Sequence, residues 1–379
     1  MRNVPISHNL GDAMQTRRDF IAAGSLAVGA ALLATQTRAA TPKKNRRIVL
    51  AKRPQGEPTP ADFRLEEVPI PALKDGEILM QTVFLSLDPY MRARMNEGPS
   101  YAAATGIDEI MVGGTVSRVV ASRNPKFAEG DLVSSYSGWQ EYQVSSGAGI
   151  TKLDPRIPRP SYALGVLGMP GITAYVGTLD IGEPKAGETL VVAAATGAVG
   201  SVVGQIAKIK GLRAVGIAGG KEKCDYAVKE LGFDACIDHR DANMPALLKE
   251  ACPKGIDVYF ENVGGAVWDA VVPQLNTHAR IPLCGLIAQY NATSLPQGPD
   301  RSSQLMGMFL VKQIKVQGFI ISNYFHRFPA FIGDMSQWMQ AGRVKYREDI
   351  TRGLENAPQA FMGLFKGSNF GKLLVQVAD

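Results

Sequence analysis

Two patterns of apolar positions divide the chain. Between residues 47 and 160, short strand-type runs at 48–50, 77–85, 114–120 and 131–133 are separated by Pro, Gly and Asp, with a Gly130-Asp131 turn before the last. Short runs with frequent breakers predict an all-β, barrel-like module. From residue 190 the pattern changes. An apolar run at 190–194 leads into a glycine-containing turn, and Val199, Val202, Val203, Ile206 and Ile209 then recur at helical spacing, with Gly211 placed to end the helix. Strand-type runs at 213–218, 235–237, 256–262, 279–285 and 314–321 follow, and their alternation with helical stretches predicts a doubly wound parallel sheet. Pro282 inside the 279–285 run predicts either a bulge there or a strand with other bounds. A helix over 331–340 and a strand over 372–377 complete the chain and are expected to pack back on the β module. With no low-complexity linker between the halves, the expected site is a fixed cleft between them.

Residues 1–40 follow neither pattern. Arg17 and Arg18 precede Asp19, Phe20 and Ile21, then an Ala- and Gly-rich apolar stretch to Ala34, then Ala39 and Ala40. This is the layout of an export signal, and the arginine pair is similar to the twin-arginine type. The apolar stretch is shorter than the roughly 18 residues that cross a bilayer, so stable membrane insertion is not expected. The expected location is periplasmic or otherwise exported, or cytoplasmic if the leader is inactive. Starting at Met14 would retain the arginine pair. The resulting division is a signal peptide at 1–40, the β module at 41–165, the doubly wound module at 166–330 and a returning segment at 331–379.

Composition narrows the class further. The 379 residues are 45% hydrophobic and 20% charged, which suits two globular domains with sizeable cores. The net charge of +6 comes without a long basic run, the densest cluster being Lys43, Lys44, Arg46 and Arg47, so no nucleic-acid partner is expected. The four cysteines form no CxxC pair, and His8, His239, His278 and His326 are the only histidines. Neither set has the spacing of a zinc site, and no metal is expected.

The turn after the first strand of the sheet carries the chemistry. A strand, a glycine turn, a helix and a second strand form the context in which such a turn binds a dinucleotide. A pyrophosphate is held by free N–H groups at a helix N-terminus, and bulky side chains would block its approach. Gly197 and Gly200, with Ala198 and Val199 between them, are therefore read as the pyrophosphate cradle. Ala195 stands where the common GxGxxG pattern has its first glycine, and Gly204 is read as allowing close helix–sheet packing. The second strand ends without the Asp or Glu that holds NAD ribose hydroxyls. Gly219, Gly220, Lys221, Glu222 and Lys223 follow it, a sequence that favours the 2′-phosphate of NADP.

Six further segments join this turn in a wider pattern: LSLDPYMR at 85–92, GWQEY at 138–142, GMPGITAY at 168–175, ENVGG at 261–265, CGLIAQY at 284–290 and GSNFGK at 367–372. Together they resemble the medium-chain dehydrogenase/reductase superfamily, in its zinc-independent branch of alkenal double-bond reductases and prostaglandin reductases. The resemblance covers the chain after about residue 45. It implies an α/β fold, a GroES-like β-barrel-type domain beside a Rossmann domain, and NADP(H) as cofactor. It also implies residue roles. Lys223 would meet the 2′-phosphate. Asn262 and the 284–290 segment (Cys284, Gly285, Leu286, Ile287, Ala288, Gln289 and Tyr290) would line the nicotinamide ribose side. Phe319, Ile320 and Ile321 would back the nicotinamide, and Asn369 would close over the cofactor. His239 stands where the family usually has tyrosine, which leaves open how it would meet the adenosine phosphate and whether pH affects that contact. Tyr90 and Tyr175 would shape the substrate pocket, while Asp88 before Pro89 reads as a turn residue.

The implied reaction is NADPH-dependent reduction of the C=C bond of an enone or enal, with hydride going to the β-carbon. Tyr290 and a cofactor ribose hydroxyl would stabilise the enolate. Two other readings remain open at this point: an NADPH quinone reductase on the same fold, and a dinucleotide-binding protein without catalysis. The resemblance also implies a homodimer.

Overall fold

A computed structural model describes residues 42–294 and 298–379. The leader, with its arginine pair, lies outside the described residues. The β module begins with an antiparallel pair, β1 (Lys44–Leu50) and β2 (Phe63–Pro69). Next come β3 (Ile78–Ser86), β4 (Thr115–Ser122), β5 (Leu132–Ser135), β6 (Tyr142–Ser145) and β7 (Thr151–Lys152). Strand β3 is central to them, pairing antiparallel with both β4 and β6. Trp139 is fully buried, stacked on Phe63 at 5.7 Å and edge-on to Phe361 at 5.6 Å. Burial of aromatic and aliphatic side chains of this size stabilises by about 1.5–3 kcal/mol each.

The second unit is a six-stranded parallel sheet. Its strands are β8 (Thr189–Ala193), β9 (Arg213–Ala218), β10 (Ala235–Asp238), β11 (Ile256–Phe260), β12 (Leu275–Leu283) and β13 (Lys315–Gly318). Their spatial order is β10-β9-β8-β11-β12-β13. The chain direction across the sheet therefore reverses between β8 and β11, and a ligand crevice opens at such a switch point. Val202, Val203 and Ile206 of the helix Gly200–Ile209 are buried on one face of the sheet; Leu248, Val267 and Val271 are buried on the other. Gly211 ends the first helix at φ +80°, a backbone conformation that a side chain disfavours.

Three expectations from the sequence need adjustment. The irregularity in β12 lies at His278, at φ +64°, where the register against β11 slips. Pro282 is an ordinary strand residue whose carbonyl accepts the Glu261 N–H at 3.0 Å. The segment 331–379 is also split between the two units. The helix Phe328–Gln340 buries Phe331, Met335 and Trp338 in the core of the dinucleotide unit. Only later does the chain join the β module, where β14 (Glu348–Arg352) pairs with β15 (Lys372–Gln376) and β15 pairs with β3. Finally, Gly204 is demanded by a ring and not directly by the sheet. A Cβ there would lie 1.8 Å from Phe233 Cζ.

Candidate active site

The turn after β8 is built by close backbone approach. Ala194 holds φ +54°, and a Cβ on Gly200 would lie 2.3 Å from its carbonyl oxygen. Ala195 fits because β9 offers Gly216 opposite, where a Cβ would come within 2.7 Å of the Ala195 methyl. Gly197 N–H turns back to Ala194 O at 2.9 Å, and Ser201 N–H bonds Gly197 O at 3.1 Å. The N–H groups of Ala198, Val199 and Gly200 have no acceptor among the described residues. Three free donors at a helix N-terminus, with no side chain able to cover Gly197 or Gly200, fit a pyrophosphate.

Across the switch point, Asn262 Nδ2 donates to Ala193 O at 2.8 Å and ties the end of β11 to that of β8. The buried Glu261 carboxylate shapes the following turn, accepting from Tyr259 Oη at 2.5 Å, from Gly264 N–H at 3.0 Å and from Val263 N–H. These elements open on a continuous cleft of about 1620 Å³ that runs between the two units. Gly197 to Gly200, Lys223, His239, Asn262, Cys284, Gly285, Ile287, Ala288, Tyr290, Phe319 to Ile321, Asn369 and Tyr90 all line it. Burial pushes the Cys284 thiol up to about 12, so it stays neutral.

Three expected residues lie elsewhere. The Tyr175 hydroxyl donates to Asp334 Oδ2 at 2.7 Å, and its ring packs against Phe331 and Trp338 in the helix interface behind the cleft. Leu286 and Gln289 are absent from the lining and pack toward Gly264. Asp88 is more than a turn residue. It is buried, its Oδ1 accepts from Lys372 Nζ at 2.9 Å, and Lys372 also donates to Leu87 O. That pair fixes β15 to the end of β3 beneath Tyr90. Removing one partner of such a buried pair costs roughly 3–5 kcal/mol.

At the end of β9, Lys223 Nζ donates to Gly367 O at 2.6 Å and to Asn369 O at 2.7 Å. It therefore anchors the loop carrying Asn369 as well as standing at the phosphate end. Burial, then the charge of Arg240, lowers its pKa. Arg240 went unrecognised in the sequence because it follows the next strand. Its guanidinium lies over Gly219 and Gly220, close to where Cβ atoms would be, at 3.3 and 3.4 Å, and it lines the cleft with His239. Asp238 Oδ1 reaches the same corner, but it accepts the Gly220 and Arg240 N–H groups at 2.9 and 3.0 Å. The corner thus presents Lys223, His239 and Arg240, a donor set matched to a 2′-phosphate.

The opposite end of the cleft is walled by tyrosines, of which Tyr101 and Tyr136 were also missed. Tyr90 and Tyr136 hydroxyls are 2.6 Å apart. Tyr290 folds back over Gly285, and its oxygen accepts the Leu286 N–H at 3.4 Å. Burial raises the pKa of Tyr90, Tyr136 and Tyr290 and pushes Tyr101 up to about 12. Every phenol in this wall is therefore a neutral donor at physiological pH. The neighbouring Arg92 holds the Tyr290 loop against the β module, its Nε donating to Asn291 Oδ1 at 3.0 Å and one terminal nitrogen to Gly56 O at 2.8 Å. Among the described residues no group of three or more His, Cys, Asp or Glu is placed to hold a metal.

A parallel sheet with a phosphate-binding turn at its switch point, facing a β module across a cleft, defines a dinucleotide-dependent oxidoreductase. Residues 46–153 match the family described as the N-terminal domain of oxidoreductase, and residues 198–337 match the one described as zinc-binding dehydrogenase. The chain belongs to the medium-chain dehydrogenase/reductase superfamily, in its zinc-independent NADP-dependent branch. It is 58% identical to the NADPH-dependent curcumin reductase of Escherichia coli K12, over 89% of this chain and 98% of that one. It is 39% identical to the NADP(+)-dependent 2-alkenal reductase of Nicotiana tabacum, over 88% and 98%. The crystal structure of CurA from Vibrio vulnificus in complex with NADPH superposes with a TM-score of 0.86 at 59% identity, covering 88% of this chain and 99% of that one.

Arg240→Gln is expected to lower the preference for NADPH over NADH about tenfold or more, the loss of one charge-assisted contact. Steady-state kinetics with both cofactors checks this, and an unchanged preference would remove Arg240 from the phosphate corner.

Proposed function

We infer that the cleft reduces the carbon–carbon double bond of α,β-unsaturated aldehydes and ketones with NADPH, and that Tyr290 carries the protein's part in that chemistry. The carrying observation is the Tyr290 hydroxyl. Its oxygen accepts Leu286 N–H, which leaves its own proton free to donate into the cleft. The curcumin and the 2-alkenal in the relatives' names support the same substrate class.

The bound nicotinamide supplies a hydride. As the β-carbon is reduced, negative charge builds on the substrate's carbonyl oxygen, and a placed neutral donor stabilises that charge. Tyr290 is such a donor, oriented by Leu286 N–H and by the loop that Arg92 grips. The pyrophosphate would rest on the N–H groups of Ala198, Val199 and Gly200, the 2′-phosphate against Lys223 and Arg240, and the nicotinamide between Phe319 and Asn262. Tyr90, Tyr101 and Tyr136 would narrow the substrate end.

Two further readings concern the whole molecule. We propose a homodimer formed along the free edge of β13. The adjoining helix Ser302–Lys312 supports it by presenting Met306, Leu310 and Val311 at 70, 79 and 78% exposure, an apolar surface that a partner would cover. We also propose that residues 1–40 direct twin-arginine export, supported by the Arg17-Arg18 pair and the weakly apolar stretch after it. That route carries proteins already folded around a cofactor.

Tyr290→Phe is expected to lower kcat for an alkenal about a hundredfold, the scale of one lost oxyanion donor, while NADPH binding by fluorescence titration stays within the same order. Unchanged turnover would contradict the assignment. Because burial raises the Tyr290 pKa, the hydroxyl stays protonated through its ordinary titration range, and kcat should show no loss from this group up to about pH 9. Sedimentation analysis should give a dimer that Leu310→Glu splits into monomers, and a wild-type monomer would refute the interface. Cell fractionation should place the tagged protein outside the cytoplasm, and Arg17→Lys with Arg18→Lys should retain it inside. Cytoplasmic wild-type protein would contradict export.

A further inference from the structure

The cleft is lined by three arginines, Arg94, Arg156 and Arg240, and by five lysines, Lys152, Lys223, Lys345, Lys366 and Lys372. All the lysines and Arg156 are committed within the described protein. Arg156 bonds Asp154, Lys152 pairs with Asp131, and Lys345 with Glu230. Lys366 pairs with Glu57, Lys372 with Asp88, and Lys223 holds the 367–369 carbonyls. Among the described residues Arg240 and Arg94 alone of this set have no hydrogen-bonded or ion-pair partner for the side chain. Arg240 belongs to the phosphate corner. Arg94 stands at the other end, among the tyrosines.

Its position is specific. Arg94 closes the short helix Met91–Arg94 that follows Tyr90. Arg92, two residues earlier, spends its guanidinium on Asn96, Asn291 and Gly56. The Arg94 Nε is buried and has no acceptor. A guanidinium is always charged and presents a planar fork of donors, so one that lines a cleft half-buried and without a partner in the protein is free to meet an oxyanion from outside it. The neighbours suit one. Of the two hydroxyl protons of Tyr90 and Tyr136, one is used between them, and the other is free to donate. Both Tyr101 and Tyr136 lie within electrostatic range of Arg94. Asp88, whose charge reaches Tyr90 and Tyr136, is itself paired with Lys372.

We propose that Arg94, with Tyr101 and Tyr136, is a specificity subsite that binds an acidic group, a carboxylate or an ionised phenol, carried on the same substrate as the double bond. This rests on the double-bond reductase reading above. The apolar wall formed by Leu167, Met169, Ile287 and Phe319 would take the body of such a molecule. Tyr101 is also within electrostatic range of Tyr290, so the acid and the carbonyl would be held in one part of the cleft by different groups. The preferred substrates are therefore amphiphilic enones and not short neutral alkenals.

The test compares 4-phenylbut-3-en-2-one with its para-carboxylate, at saturating NADPH, for the wild-type protein, Arg94→Gln and Arg94→Lys. In the wild type kcat/KM should favour the carboxylate. Arg94→Gln should lower that ratio about tenfold to a hundredfold, mostly through KM, as expected for one charge-assisted contact. Arg94→Lys should recover part of it. Parallel falls for both substrates would make Arg94 structural or catalytic and overturn the proposal, as would an unchanged ratio. Calorimetric binding of the saturated carboxylate product to the NADP⁺-loaded protein reads the subsite without turnover. Binding that weakens in Arg94→Gln supports the subsite even if neither enone is reduced, an outcome that would sink the reductase reading alone. No binding to the wild type would overturn the subsite itself.

Discussion

The site depends on one close approach. Gly200 sits against the Ala194 carbonyl so tightly that a methyl group would lie 2.3 Å from it, and Ala194 itself is held at φ +54°. This contact sets where the helix Gly200–Ile209 begins, and so where its free N–H groups point. Gly216 under Ala195 and Phe233 over Gly204 extend the same constraint through β9 and the helix. A larger residue at any of these positions would displace the helix from the sheet, and the phosphate donors would move with it.

The reaction end depends on ties between the two units. Strand β15 carries the chain back to β3 and brings Lys372 to Asp88 beneath Tyr90. Arg92 reaches across to Asn291, one residue beyond Tyr290. Lys223 anchors the loop with Asn369 from the opposite side. A Rossmann unit alone would hold the cofactor but leave the hydroxyl of Tyr290 facing open water. The β module supplies the second wall, and with it the low polarity in which a single neutral donor is effective.

Much of this was legible in the sequence because it follows from local rules. The glycine turn, the helix behind it and its Gly211 stop are written in consecutive residues, and the lack of an acid after β9 pointed to NADP. The failures arise where helical phase or distant strands decide. Tyr175 lies in a recognisable motif, yet its helix turns the phenol toward Asp334, 159 residues away. Arg240 joins Lys223 only because β10 lies beside β9. Tyr90, Tyr101 and Tyr136 converge from separate loops, and no spacing rule anticipates that. Cys224 of the helix Lys221–Lys229 and Cys236 of β10, unremarkable as a pair in sequence, lie thiol to thiol. The β12 irregularity was assigned to Pro282 because proline is the visible breaker, whereas the strand takes its kink at His278.

The central claim is that the substrate is reduced at the β-carbon of a conjugated carbonyl while Tyr290 holds the oxygen. NADPH carrying deuterium at the transferable position of C4, reacted with 4-phenylbut-3-en-2-one, tests this in one product analysis by NMR. The account predicts a saturated ketone with deuterium on the β-carbon alone. Deuterium on the carbonyl carbon of an unsaturated alcohol would contradict it.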